Sequence, residues 1–88
     1  MASFFYMENF VTYILLSSKH NKTYVGFTSD LINRMKSHNQ FDKKGYTAKF
    51  RPWVVVHVEF FETKSEAIKR ENWFKSGVGR DYINNHFR

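Results

Sequence analysis

The sequence predicts a small α/β (α+β) domain in the order β-β-α-β-α(-α), one sheet layered against helices. Three observations predict it. Two short runs rich in β-branched and aromatic residues, Phe10–Ser17 and Thr23–Phe27, are separated by a polar turn. Two stretches, 30–38 and 64–75, repeat apolar residues at helical spacing behind side chains suited to capping. A third strand-like run, Pro52–Phe61, stands between them.

Each element follows from its residues. Phe10–Ser17 (FVTYILLS) and Thr23–Phe27 (TYVGF) read as strands of a hairpin, and Asn21 in the turn suits a positive φ. Thr28, Ser29 and Asp30 offer N-cap oxygens to a helix over 30–38, with Leu31, Met35 and His38 recurring along it. Asn39–Lys49 shows no period and reads as a basic surface loop. The valine run in Pro52–Phe61 (PWVVVHVEFF) predicts a buried strand. Thr63-Lys64-Ser65-Glu66 matches a capping box opening the helix over 64–75, which Gly77 and Gly79 break; Arg80–Phe87 adds a short terminal helix. No internal repeat or low-complexity stretch is present.

Composition narrows the function classes. With 88 residues there is room for one domain, placed over residues 9–88, and residues 1–8 are read as an extension, with Met7 an alternative start. Aromatics make up 19% of the chain and supply the core of a scaffold too small to bury much surface otherwise. The absence of cysteine excludes disulfides, zinc ribbons and thiol catalysis, and is compatible with a cytoplasmic location. No apolar run, Val54–Val56 included, approaches the length that spans a bilayer, and the first ten residues lack the basic and apolar regions of a signal peptide. Lys+Arg 14 against Asp+Glu 8 gives net charge +6, which favours a polyanionic partner through counterion release.

Charged residues stand where apolar ones belong. Leu31, Arg34, Met35 and His38 share one helical face, and Glu71 interrupts the stripe of Ala67, Ile68 and Phe74 on the other helix. Each has two readings. Arg34 either pairs with Asp30 or faces a polar cleft, Glu71 either pairs with Lys75 at the stripe's edge or enters that cleft, and His38 is either an ordinary helix-end residue or part of a site. Burying an unpaired charge costs several kcal/mol, so partners are needed if these side chains face inward. Tyr13 and Tyr24 point to the same face of the hairpin if its loop is even and unbulged; otherwise they part.

The basic cluster Lys43, Lys44, Lys49 and Arg51 lies beside Tyr46, Phe50 and Trp53; it either grips a phosphate backbone with aromatics against unpaired bases or is a solvated loop. Lys75, Arg80 and Arg88 extend the same footprint. The four histidines lack zinc-site spacing, and no glycine-rich phosphate loop, GxSxG or paired catalytic carboxylates occur.

Taken together these residues resemble the GIY-YIG nuclease family, in particular its short, stand-alone bacterial members. Val11-Thr12-Tyr13 stands at the GIY element and Tyr24-Val25-Gly26 at YIG; Arg34, His38-Asn39 and the helix Ser65–Glu71 follow in order, over about Phe10 to Lys75. The resemblance implies a three-stranded antiparallel sheet flanked by helices, and endonucleolytic hydrolysis of phosphodiester bonds with Mg²⁺ (or Mn²⁺) as cofactor. It implies that Glu71 holds the metal and Arg34 neutralises charge on the scissile phosphate. Tyr13 and Tyr24 position or deprotonate the attacking water, His38 assists proton transfer, and Gly26 allows close approach of the second strand. The chemistry is coherent: a phosphodiester repels hydroxide, so a Lewis acid and a fixed cation lower the barrier, and a carboxylate and a guanidinium fork supply them.

The pattern departs from the family at Val11, which replaces its first glycine, at Phe27, where some members carry a lysine proposed for proton abstraction, and at His38, which replaces a tyrosine of other branches. The expected partner is nucleic acid, DNA ahead of RNA, in a setting such as repair or recombination, with weak activity from so small a surface; the sequence fixes no oligomeric state. Two alternatives stand beside it: a non-catalytic nucleic-acid-binding module on the same scaffold, and a small interaction protein using exposed aromatics.

Overall fold

A computed structural model describes residues 10–41 and 43–88, with the side chain of residue 41 left aside; the extension assigned to residues 1–8 lies outside the described residues. Strand β1 (Phe10–Ser17) and strand β2 (Lys22–Thr28) pair antiparallel in a register running from Val11↔Thr28 to Ser17↔Lys22 without a bulge. The loop is therefore the even one, with Asn21 at φ 52. Strand β3 (Val54–Phe61) pairs antiparallel with the other side of β1, so the sheet order is β2-β1-β3 and β1 is central. It is the three-stranded antiparallel sheet with flanking helices that the family resemblance implies.

Alternation along β1 divides the core in two. Val11, Tyr13 and Leu15 pack with Trp53, Tyr24, Leu31 and Met35 on one face. Ile14 packs with Val25, Phe74 and Ile83 on the other. The first face lies under helix α1 (Leu31–Lys36), a π-helical turn (Ser37–Phe41) and a short helix α2 (Tyr46–Lys49). The second carries helix α3 (Lys64–Lys75) and helix α4 (Gly77–Phe87). Thr12 Oγ1 donates to the Ala67 carbonyl at 2.8 Å and fastens α3 to the central strand.

Local chemistry sets the helix ends. Asp30 caps α1 by accepting from the Asn33 amide at 3.2 Å. Both halves of the capping box at α3 form: Glu66 N–H to Thr63 Oγ1 at 3.2 Å, and Thr63 N–H to Glu66 Oε1 at 3.2 Å.

Four expectations change. The third strand begins at Val54 rather than Pro52 and is an edge strand, with Val54 56% exposed; a run of valines suits a buried strand and an exposed edge alike. The stretch Asn39–Lys49 is not simply a loop, because the π-helical turn and α2 occupy much of it. The helix expected over 30–38 is α-helical only to Lys36 before it widens. The last helix starts at Gly77, not Arg80, so the two glycines open α4 instead of filling a gap. Among the described residues no helix is long and apolar enough to cross a membrane.

Candidate active site

The site grows from the hairpin. Because β1 and β2 pair without a bulge, Tyr13 stands opposite Gly26 and Tyr24 opposite Leu15, which puts both phenols on the face under α1. Their ring centroids are 6.4 Å apart. Tyr13 is 1% exposed, and its hydroxyl shares a 2.8 Å hydrogen bond with His38 Nε2. The widened turn at the end of α1 carries His38 inward, to 1% exposure, where its ring lies 5.0 Å from that of Tyr24 in an edge contact. His38 therefore touches the tyrosines and not solvent.

Arg34 reaches over this pair. Asp30 is occupied by Asn33, whose side chain donates to it at 2.6 Å, so the alternative partner one turn back is engaged elsewhere. The Arg34 guanidinium instead interacts with both phenols, Tyr13 first, and this outweighs partial burial to hold it still more firmly protonated. Burial drives the Tyr13 phenol up to about 12, against a downward pull from Arg34, with Tyr24 and Glu71 adding to the rise.

Glu71 arrives from α3, on the stripe between buried Ala67 and Phe74. Its side chain is 15% exposed, and Lys75 Nζ lies 3.1 Å from Oε2. The pairing with Lys75 is formed, and the carboxylate is mostly covered, its charge adding to the rise of the Tyr13 phenol. Among the described residues no group of three or more His, Asp or Glu side chains gathers. A metal here would rest on Glu71 alone, with its other positions open to water and substrate, a donor set that fits a hard divalent cation.

The basic residues divide. Lys43, Lys44 and Lys49 are exposed around a shallow hollow with Tyr46 and Phe50. Lys49 and Lys22 place their ammonium groups 5.4 and 5.2 Å from the Phe50 ring centre. Arg51 turns the other way and donates to the carbonyls of His38 and Ser37, the latter at 3.0 Å, binding the end of the widened turn. Lys75 lies beside Glu71.

Two residues named in the sequence take structural roles that it did not assign them. Asn39 accepts from Trp53 N–H at 2.8 Å and donates to the Trp53 carbonyl at 3.1 Å, pinning the turn that carries His38. Tyr46 stacks on Trp53 at 5.9 Å and approaches Tyr24 at 6.2 Å. The sequence already set Tyr46, Phe50 and Trp53 side by side as aromatics for unpaired bases; the structure makes Tyr46 and Trp53 a stacked wall, although the helix ends at Lys49.

Comparison with known proteins agrees with this architecture. The family model of the GIY-YIG catalytic domain matches residues 9–85. A UPF0213 protein of Bacillus velezensis is 44% identical over 63 residues, covering 72% of this chain and 63% of that protein. A UPF0213 protein of Listeria monocytogenes is 43% identical, covering 72% and 71%. The UPF0213 protein YazA of Bacillus subtilis is 38% identical, covering 72% and 64%. The matched stretch therefore spans just under two thirds of the two Bacillus relatives. No solved structure matches. The matched residues take in both strands of the hairpin, the arginine helix and the glutamate helix, and the chain belongs to the GIY-YIG family.

Proposed function

We propose that the protein is a divalent-metal-dependent endonuclease that hydrolyses phosphodiester bonds, with DNA as its first substrate. The observation that carries this reading is the match to the GIY-YIG catalytic domain over residues 9–85, with Arg34 and Glu71, from helices on opposite faces of the sheet, both acting electrostatically on the Tyr13 phenol.

Glu71 would hold Mg²⁺ (or Mn²⁺), whose charge, when bound, polarises the phosphate and its water ligand. Arg34 presents its fork to the phosphate oxygens and offsets the negative charge that develops there. Tyr13 is a neutral phenol at neutral pH, since burial lifts it to about 12. With its proton given in a hydrogen bond to His38 Nε2, 2.8 Å away, its oxygen would accept a hydrogen bond from an attacking water admitted with metal and substrate. As the water's proton passes to Tyr13 Oη, the phenol's own proton passes to His38 Nε2, so the tyrosine is regenerated as a phenol. Tyr24 shares Arg34 and steadies it. Lys43, Lys44, Lys49 and Lys75 supply positive charge for the backbone on either side.

The test is nicking of plasmid and branched DNA, with an RNA control, in Mg²⁺ by wild type and by Glu71→Ala. Cleavage should fall by about two orders of magnitude or more; equal cleavage by the two proteins overturns the assignment. A second reading, a binding module without chemistry, is favoured by the Lys75 ammonium 3.1 Å from the Glu71 carboxylate, where it already offsets that charge. It predicts salt-sensitive binding with no metal-dependent cleavage.

A further inference from the structure

The outer side of β2 opens into a groove of about 330 Å³ that shares Tyr24 with the candidate active site and runs past Thr23, Tyr46, Lys75 and Arg80. A smaller hollow of about 160 Å³ continues it from Thr23 and Arg80 to Arg88. The groove has three features of a built seat. Its volume is at the lower end of small-ligand pockets, room for one nucleotide and not for the paired width of a duplex.

One wall is a fixed aromatic ring. Tyr46 is 45% exposed, yet its hydroxyl donates to the Thr23 carbonyl on the sheet edge at 3.1 Å and its ring is backed by Trp53 at 5.9 Å. A ring held at both ends offers a stacking surface with little ordering left to do. The far end is cationic. Arg80 is exposed, and among the described residues its guanidinium makes no ion pair or hydrogen bond. Arg88, by contrast, is tied to Asn21 and Asn84, at 3.2 and 3.1 Å, and closes the path.

We propose that this groove seats one unpaired nucleotide next to the scissile phosphate, its base against Tyr46 and its outer phosphate on Arg80. The protein then takes its substrate as a single strand or a single-stranded segment of a larger structure. The position of the scissile phosphate rests on the nuclease reading; the groove's ability to hold a nucleotide does not. Stacking reads any base, so the selection is for strandedness and not for sequence.

The experiment is fluorescence anisotropy of a labelled short single-stranded oligonucleotide, and of a hairpin duplex of the same composition, with the full chain in EDTA across a salt series. Single strands should bind more tightly than the duplex. Arg80→Ala should weaken single-strand binding roughly fivefold near 0.1 M salt and lower the salt slope by about 0.7, one phosphate's worth. Tyr46→Leu should weaken it by about fivefold or more, and Tyr46→Phe much less. Lys69→Ala, on the opposite side of α3 from Glu71, should change nothing. Duplex binding as tight as single-strand binding, or an unchanged slope in Arg80→Ala, overturns the proposal. Arg80-dependent binding without cleavage in Mg²⁺ supports the groove and removes the nuclease reading. Cleavage with Arg80-independent binding removes the groove and leaves the nuclease reading standing.

Discussion

Tyr13 lays its hydroxyl over Gly26: a Cβ at position 26 would stand 2.5 Å from Tyr13 Oη and 2.7 Å from Cζ. Tyr13 is walled in, so it cannot swing aside without giving up the His38 hydrogen bond. Gly26→Ala should therefore cost about 1–3 kcal/mol of stability and displace the phenol from Arg34. Cleavage should drop in a protein that still folds. Tyr13→Phe removes the nearest atom, so the double variant should lose less than the sum of the two single losses. Wild-type melting and wild-type cleavage in Gly26→Ala would show that the phenol is free to move.

The Tyr13 phenol should ionise well above the ordinary tyrosine value. Burial pushes it up to about 12, with Arg34 pulling against that and Tyr24 adding to it. An acid raised by folding stabilises the fold below its ordinary value of about 10, and the stability is lost as pH rises through the folded value. In an alkaline absorbance titration, the difference between wild type and Tyr13→Phe should be a single tyrosinate transition near 12. A difference transition near the ordinary value would mean that the hydroxyl is not held by His38 and remove the proton path between them.

What was legible depended on the range of the physics. β1 and α3 are readable because their signals are local: a run of β-branched and aromatic residues in one, and a capping box between Thr63 and Glu66 in the other. The shared face of Tyr13 and Tyr24 followed from period two once the loop was even. β3 was not readable as an edge strand, because Val54 and Val55 look the same in a central strand and only the sheet order distinguishes them. Arg34 and Glu71 stood out by occupying apolar stripes, and both act electrostatically on the Tyr13 phenol. Arg51 announced nothing of its carbonyl contacts, since a guanidinium fork fits backbone oxygens and phosphates alike. The turn that buries His38 departs from helical period, which is where pattern reading stops.

On the opposite face, Glu59 joins β3 to α3. It accepts from Arg70 Nε at 2.8 Å and Nη2 at 3.1 Å and lies 2.8 Å from His57 Nε2. The Arg70 guanidinium also sits 4.5 Å from the ring centres of Trp73 and Phe74. Burial alone would raise the Glu59 carboxyl, but the bonds from Arg70 and His57 together outweigh it and hold the group below the usual carboxylate range. Glu59→Gln should cost about 1–2 kcal/mol at neutral pH, read by urea unfolding. A depressed acid contributes stability above its unfolded value, about 4.3, and that contribution disappears as pH falls through the lower folded value. The gap between wild type and variant should close on acidification; a gap that persists at low pH would mean that packing and not charge holds the cluster. Arg70→Lys should behave like a partial loss, since an ammonium keeps the charge but neither the fork nor the flat contact with the rings.

The two glycines after α3 should respond in opposite ways to the same substitution. Ser76 ends α3 and begins α4: its hydroxyl donates to the Trp73 carbonyl at 2.6 Å and accepts from Gly79 N–H at 3.3 Å. That sharp turn drives the first turn of α4 against the last of α3. A Cβ at Gly79 would lie 2.1 Å from the Trp73 carbonyl oxygen and 2.5 Å from Phe74 Cα, both backbone atoms that cannot step aside, whereas one at Gly77 meets nothing within 4 Å. Gly79→Ala should cost about 3 kcal/mol or more, because relieving the clash means prising α4, with buried Ile83, away from Phe74. Gly77→Ala should be neutral or stabilise by about 0.5–1 kcal/mol, since alanine suits a helix better than glycine. Thermal melts of the two variants side by side decide it. Equal melting points would mean that the helix junction has slack, and with it the groove wall formed by Lys75 and Arg80.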